Sequence, residues 1–276
     1  MKINKFLFII FVFFPLFSFS QVIDTNYIEP KNIDVKIFRT INNTHCNFLN
    51  TFISITDKST LPVNMLIPAT LFTVSRINKN YYDENSSVLV FLSEMTGTGI
   101  TFALKNIFKR DRPFVSLKNV YYNKNNPLTD RYSFPSGHTT VSFAMATSLT
   151  LRYPDKPILI TGVYLYSSII AFGRMYLGVH YPSDVLGGML IGSGSAALIY
   201  SLRKQIISGK NSFFNESGRQ DISNNSVSTP LVLISFLSTD IINYFIGGSH
   251  NKVLKSTKFN IDLNGNTNKL LLNLDL

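Results

Sequence analysis

Three short stretches of the chain hold the residue types that phosphoryl chemistry needs. KNIFKRDRP occupies residues 105–113, PSGH residues 135–138 and GRMYLGVHYPSD residues 173–184. Lys105, Arg112 and Arg174 supply three cations, and the two guanidinium groups can grip phosphate oxygens with forked hydrogen bonds. Ser136 and Gly137 follow a proline and open the apolar run VSFAMATSLTL. That placement puts a hydroxyl and exposed backbone amides at a helix N-terminus, where an anion is favoured. Two histidines complete the set: His138 directly after the cap, and His180 between Arg174 and Asp184. Asp184 lies four residues after His180, a spacing that lets a carboxylate hold one ring nitrogen as the chain enters a helix. Each stretch taken alone has a plainer reading: a basic flank after an apolar helix, a boundary arginine, or a loop histidine satisfied by backbone.

The elements that must position these residues are apolar segments at Leu61–Val74, Val88–Leu104, Thr140–Leu151, Pro157–Phe172, Val185–Leu198 and Pro230–Ile246. If the five segments from Leu61 to Leu198 alternate in direction, the connections holding residues 105–136 and 173–184 fall at one end of a bundle. Those near Arg76–Asn85 and Tyr153–Lys156 fall at the other. Gly187, Gly188, Gly192 and Gly194 give the fifth segment a small-residue face suited to close helix packing. Before the first segment, residues 21–58 are polar with scattered apolar positions, among which Phe48, Leu49, Phe52 and Ile53 recur at helical spacing. That pattern predicts an amphipathic helix lying on a membrane surface or on the rest of the fold.

Composition narrows the setting. The 276 residues are 45% hydrophobic and only 15% charged, against about 25% charged in an average soluble domain. With a slightly positive mean hydropathy, this predicts a membrane-embedded bundle. The rival is a soluble helical bundle, favoured by segments shorter than the ~20 residues of a full span and by two acids within them, Glu94 and Asp240. The chain is too poor in charge to coat such a bundle. A formal charge of +10 asks for an anionic partner, lipid headgroups or a phosphorylated substrate. No zinc spacing or other nucleic-acid motif is present, so nucleic acid is not expected as a partner. Cys46 is the only cysteine, which excludes an intrachain disulfide. Lys2 and Lys5, the apolar run Phe6 to Phe17, and Ser18 and Ser20 before Gln21 read as a signal peptide or an N-terminal anchor over residues 1–20. Either places residue 21 onward outside the cytoplasm.

The order Lys-x6-Arg-Pro, Pro-Ser-Gly-His and Arg-x5-His-x3-Asp resembles the signature of the type 2 phosphatidic acid phosphatase family. This is the lipid-phosphatase branch of the superfamily that also holds bacterial acid phosphatases and vanadium haloperoxidases. The motifs cover residues 105–184, and the apolar organisation of about 60–200 fits as well. The resemblance implies an all-α, membrane-embedded bundle of about six helices built on the acid phosphatase/haloperoxidase core. In it His180 attacks phosphorus and carries the phosphoryl group, Asp184 holds the His180 ring, and His138 passes the proton to and from the leaving oxygen and water. Lys105, Arg112, Arg174 and the Ser136–Gly137 amides stabilise the phosphoryl oxygens. No cofactor or metal is called for, because the cations take that place and no carboxylate cluster offers to bind one. One departure is visible: the third motif usually begins Ser-Arg, whereas Gly173 precedes Arg174 here.

The implied activity is a membrane phosphatase acting on lipid phosphates or diphosphates, with phosphatidic acid, phosphatidylglycerol phosphate, undecaprenyl diphosphate and lipid A as substrate types. The alternatives are a secreted soluble acid phosphatase, a vanadate-dependent haloperoxidase, and a non-catalytic lipid-binding or transport bundle. The expected location is a bacterial inner (cytoplasmic) membrane with the site facing the periplasm. The basic loop carrying Lys105, Lys109, Arg110, Arg112 and Lys118 runs against the positive-inside tendency, while Arg76 and Arg203–Lys204 at the other end run with it. The expected division is a phosphatase core at 59–204, a polar linker at 205–227, an additional apolar helix at 228–247 and a tail at 248–276. Within the tail, KFNIDL and KLLLNLDL flank NGNTN and predict a β-hairpin.

Overall fold

A computed structural model describes residues 30–122, 130–216, 219, 221–222 and the segments 257–262 and 269–274. The leader over 1–20 and the helix expected over 228–247 lie outside the described residues. Among the described residues there are eight helices: α1 Ile33–Asn42, α2 Asn47–Ile77, α3 Tyr81–Phe108, α4 Pro113–Ser116, α5 Gly137–Arg152, α6 Pro157–Tyr176, α7 Pro182–Ser201 and α8 Arg203–Phe213. Two strands, β1 Thr257–Asp262 and β2 Lys269–Leu274, pair antiparallel in the tail, from Thr257 opposite Leu274 to Asp262 opposite Lys269.

The helices are longer than the apolar runs that announced them. α2 spans 31 residues and absorbs Phe48–Ile53, so the predicted boundary between an amphipathic segment and the core at 58/59 falls inside one continuous helix. Its polar residues do not stop it, because the hydroxyls turn inward on their own backbone. Thr70 donates to the Leu66 carbonyl (2.6 Å), Thr73 to Ala69 (2.9 Å) and Ser75 to Leu71 (2.5 Å). A hydroxyl satisfied in this way costs little in an apolar setting. Within the same stretch Ile53 is buried while Phe48 and Phe52 remain exposed, stacked on one another with ring centroids 6.1 Å apart. The polar stretch from 205 likewise begins as helix, α8 continuing to Phe213.

α5 lies at the centre. Its Met145, Ala146 and Leu149 join Val63 and Ile67 of α2, Val90 of α3, and Leu159 and Val163 of α6 in the principal apolar core. α7 approaches α5 backbone to backbone. A Cβ at Gly188 would come within 2.7 Å of the Ser136 carbonyl oxygen, and one at Gly192 would run into that of Thr140. Gly194, expected on the same face, meets nothing, so the small-residue contact is narrower than the sequence suggested.

Among the described residues, two helical stretches, Tyr81–Ser116 and Pro157–Tyr176, are long and apolar enough to cross a membrane. α7 and α8, bent by 65° at their junction, make a third if they count as one span. The two ends of the bundle are polar in different ways. At the end holding the α2–α3 turn, the buried Glu84 receives Arg76 at 3.0 Å and Lys210 at 2.6 Å, while Arg152 pairs with Asp221 at 2.7 Å. At the opposite end α1 lies across the loops, its Arg39 donating to the carbonyls of Lys118 (2.6 Å) and Asn119 (3.0 Å). Asn42 there accepts from the Tyr121 amide at 3.0 Å and donates to the Tyr176 carbonyl at 2.9 Å.

Candidate active site

The second end collects the three motifs. Lys105 stands in the last turn of α3, which closes on Lys109 in a left-handed conformation (φ 46°). This sharp exit swings Arg112 to the cap of α4. Ser133 then returns the chain to the same place, its amide donating to the Arg110 carbonyl at 2.8 Å, and α5 opens with Gly137 and His138. Arg174 lies in the last turn of α6. Gly178 (φ 76°) folds the chain back so that the amides of Val179 and His180 both donate to the Arg174 carbonyl at 3.2 Å. A Cβ at Gly178 would run into the Tyr121 carbonyl oxygen, so both the conformation and the space select glycine there.

The product is one cavity of 390 Å³ whose lining includes Lys105, Arg112, Gly137, His138, Arg174 and His180. The sequence-predicted cations and both histidines are therefore neighbours in space. Lys105 Nζ donates to the Tyr132 carbonyl at 2.6 Å and stands 3.3 Å from Asp130; Arg112 donates to the Val179 carbonyl at 3.0 Å and to Asp130 at 2.6 Å. Arg174 pairs with Asp57 of α2.

His180 is buried to 1% exposure. Its Nε2 faces a guanidinium nitrogen of Arg112 at 3.3 Å, and its Nδ1 lies 3.5 Å from Asp184 Oδ2, an ion-pair distance rather than a hydrogen bond. A guanidinium only donates, so Nε2 is the bare acceptor and the ring proton sits on Nδ1 toward the carboxylate. Burial, then the positive charges of Arg112, Arg174 and Lys105, hold this imidazole well below the ordinary histidine range. Asp184 is itself fixed: it accepts from the Tyr181 amide at 2.8 Å and from Arg110 at 2.7 Å.

Ser136 differs from its expected role. Its amide donates to the Asp184 carbonyl at 3.0 Å and its hydroxyl is 2.9 Å from Thr139, and it does not line the cavity, whereas Gly137 does. Ser136 thus ties α5 to α7 behind the site and leaves the helix N-terminus to Gly137. Gly173, the departure from the family pattern, packs on α2: a Cβ there would come within 3.0 Å of Ile53 Cγ2, so Ile53 fills the space the usual serine would need.

Four residues at this end carried no sequence signal of their own. Asp57 and Asp130 line the cavity and neutralise its cations. Arg110 lies over the Tyr181 ring at 4.1 Å and links Asp184 to Asp34 of α1, the latter at 2.6 Å. Asp34 also receives the Ser183 amide at 2.8 Å and hydroxyl at 2.6 Å. Arg110 lies within the first stretch, two residues before Arg112, where it reads only as part of a basic loop; Asp34 and Asp57 sit on helices more than a hundred residues earlier than their partners in α6 and α7.

Comparison with known proteins agrees with this geometry. A model of the PAP2 superfamily matches residues 87–208, a range that holds all three motifs. The chain is similar to a putative undecaprenyl-diphosphatase of Escherichia coli, 38% identical over 110 residues, or 39% of this chain and 50% of that protein. It is also similar to a lipid A 4'-phosphatase of Bacteroides thetaiotaomicron, 26% identical over 63% of this chain and 79% of that one. The chain thus spans half the length of the first of these relatives. Among solved structures, Aquifex aeolicus LpxE superposes with a TM-score of 0.53 at 28% identity, over 63% of this chain and 98% of that one. Residues 87–208 thus match the PAP2 superfamily in sequence, and the helical bundle is similar in fold to Aquifex aeolicus LpxE.

Proposed function

We propose that this chain is a membrane phosphatase that hydrolyses phosphomonoester or diphosphate groups of lipids through a phosphohistidine. The observation that carries the reading is the convergence of Lys105, Arg112, Arg174, His138 and His180 on one cavity, with a bare Nε2 on His180. In this reading Nε2 attacks phosphorus in line. The bond to the lipid oxygen breaks, and His138 gives that oxygen its proton. His138, now neutral, takes a proton from water as the water attacks the phosphohistidine; inorganic phosphate leaves and both rings return to their starting forms. Lys105, Arg112, Arg174 and the Gly137 amide stabilise the equatorial oxygens, where the charge of the transition state lies. An arriving phosphate displaces Asp57 and Asp130 from these cations. The chemistry named for the relatives, a diphosphatase of a polyprenyl lipid and a lipid A 4'-phosphatase, supports a lipid substrate, as do the apolar spans. We place the protein in a bacterial inner membrane with the site facing the periplasm.

His180→Ala should abolish phosphate release from a panel of lipid phosphates and diphosphates, and His138→Ala should lower it at least a hundredfold. Both variants should be recovered folded from membranes. Turnover retained by His180→Ala rules the mechanism out.

A further inference from the structure

The first turn of α7, which carries Asp184, is held by a helix outside the residues 87–208 that match the family. That helix is α1, whose Asp34 sets one carboxylate against three donors. Oδ1 accepts from the Ser183 amide at 2.8 Å, and Oδ2 accepts from the Ser183 hydroxyl and from Arg110, each at 2.6 Å. Ser183 is the second residue of α7, where an amide has no partner within its own helix, so Asp34 caps α7 from another helix. Burial alone would raise this carboxyl, but the hydrogen bonds from Arg110 and Ser183 outweigh it and hold Asp34 below its ordinary value. The other arm of Arg110 reaches Asp184 Oδ1 at 2.7 Å, while the Tyr181 ring backs the guanidinium at 4.1 Å. Asp184 Oδ2 is thereby left to the Tyr181 amide and the His180 ring.

Charge is what this arrangement adds to shape. When Nε2 bonds to phosphorus while Nδ1 keeps its proton, the His180 imidazole becomes a cation. In the cavity it neighbours His138 and the cations Lys105, Arg112 and Arg174, whose positive charges oppose that change. Asp184, fully buried, lies on its other side, 3.5 Å from Nδ1. Paired with Arg110 alone, Asp184 would present almost no net charge to the ring. Asp34 balances Arg110, so that one guanidinium between two carboxylates leaves a single negative charge beside His180. We propose that Asp34 is a positioning residue for the reaction: through Arg110 it orients Asp184 and restores the negative charge that stabilises the phosphorylated ring. This rests on the phosphohistidine reading above. Asp34 does not line the cavity, so its effect falls on the chemical step and not on the binding of phosphate.

The test measures kcat/KM of the full chain in detergent micelles on p-nitrophenyl phosphate and on a phosphatidic acid, together with inhibition by inorganic phosphate. Asp34→Asn keeps an acceptor for the Ser183 amide and removes the charge. It should lower kcat/KM about tenfold on both substrates and leave the inhibition constant of phosphate within about twofold of the parent. Asp34→Asn/Arg110→Gln removes one charge of each sign and again leaves a single negative charge. It should regain at least about threefold over Asp34→Asn, which a network that served only to hold the fold together would not do. If Asp34→Asn does not fold, Asp34→Ser, which can still cap the Ser183 amide, is read in the same way. Unchanged kcat/KM in the single variant overturns this inference alone, as does a loss that the double variant fails to recover or one matched by equally weakened phosphate inhibition. Full turnover by His180→Ala, or no release from either substrate by the unaltered chain, overturns the phosphohistidine reading itself.

Discussion

A guanidinium has no lone pair to offer, and from that one fact the state of His180 follows. With Arg112 3.3 Å from Nε2, the free ring is held neutral with its proton on the Asp184 side, as an attacking nitrogen requires. A histidine whose folded pKa lies below the ordinary 6.5 binds its proton only as pH falls well past that value. Ring nitrogen NMR of the four histidines should therefore find His180 still neutral at pH 5.5. Arg112→Gln removes a positive charge beside the ring, which favours the charged form, so the His180 midpoint should move up toward 6.5. A His180 that titrates near 6.5 in the unaltered protein contradicts the assignment. The motif residues were legible in the sequence because phosphate chemistry restricts which side chains can serve and at what spacing. Asp57, Asp130 and Asp34 were not, because a carboxylate whose cation lies 18 to 117 residues away in the chain has no local pattern to betray it.

At the scale of elements, what the sequence concealed follows from how polar residues behave inside a bundle. The apolar runs located α3, α5, α6 and α7 correctly, while the length of α2 was hidden by threonines and serines that satisfy themselves on their own helix. α8 was hidden by its charge: Lys210 reads as linker until it is seen 2.6 Å from Glu84. Glu84 is fully buried and Lys210 is 6% exposed in its side chain, so this contact pins α8 to α3. Breaking a buried pair by removing one charge typically costs about 3–5 kcal/mol, because the partner is left without compensation. Glu84→Gln should lower the midpoint of thermal unfolding in micelles and hasten tryptic cleavage after Lys204 and Lys210. Phosphate release at low temperature should be preserved, since Glu84 lies at the end remote from the cavity. A variant as stable and as protease-resistant as the parent shows that α8 is held by its apolar contacts alone.

At the scale of the whole molecule, the sequence anticipated that alternating helices would bring all three motifs to one end, and the shared cavity bears this out. Which side of the membrane that end faces is a separate question, and charge counting gives a divided answer because the cations of the site are drawn toward substrate as well as toward a compartment. The chain carries its own reporter. Cys46, the sole cysteine, is exposed at the start of α2 on the end that holds the cavity, and Asn78 is exposed just past the other end of the same helix. Flanking the 31 residues of α2, the two points stand about 48 Å apart along its axis at about 1.5 Å per residue. A membrane-impermeant maleimide applied to intact spheroplasts should label Cys46 if the site faces outward. The double variant Cys46→Ser/Asn78→Cys should label only after the membrane is opened. The reverse pattern would turn the protein over and put the lipid phosphate it cleaves in the cytoplasmic leaflet.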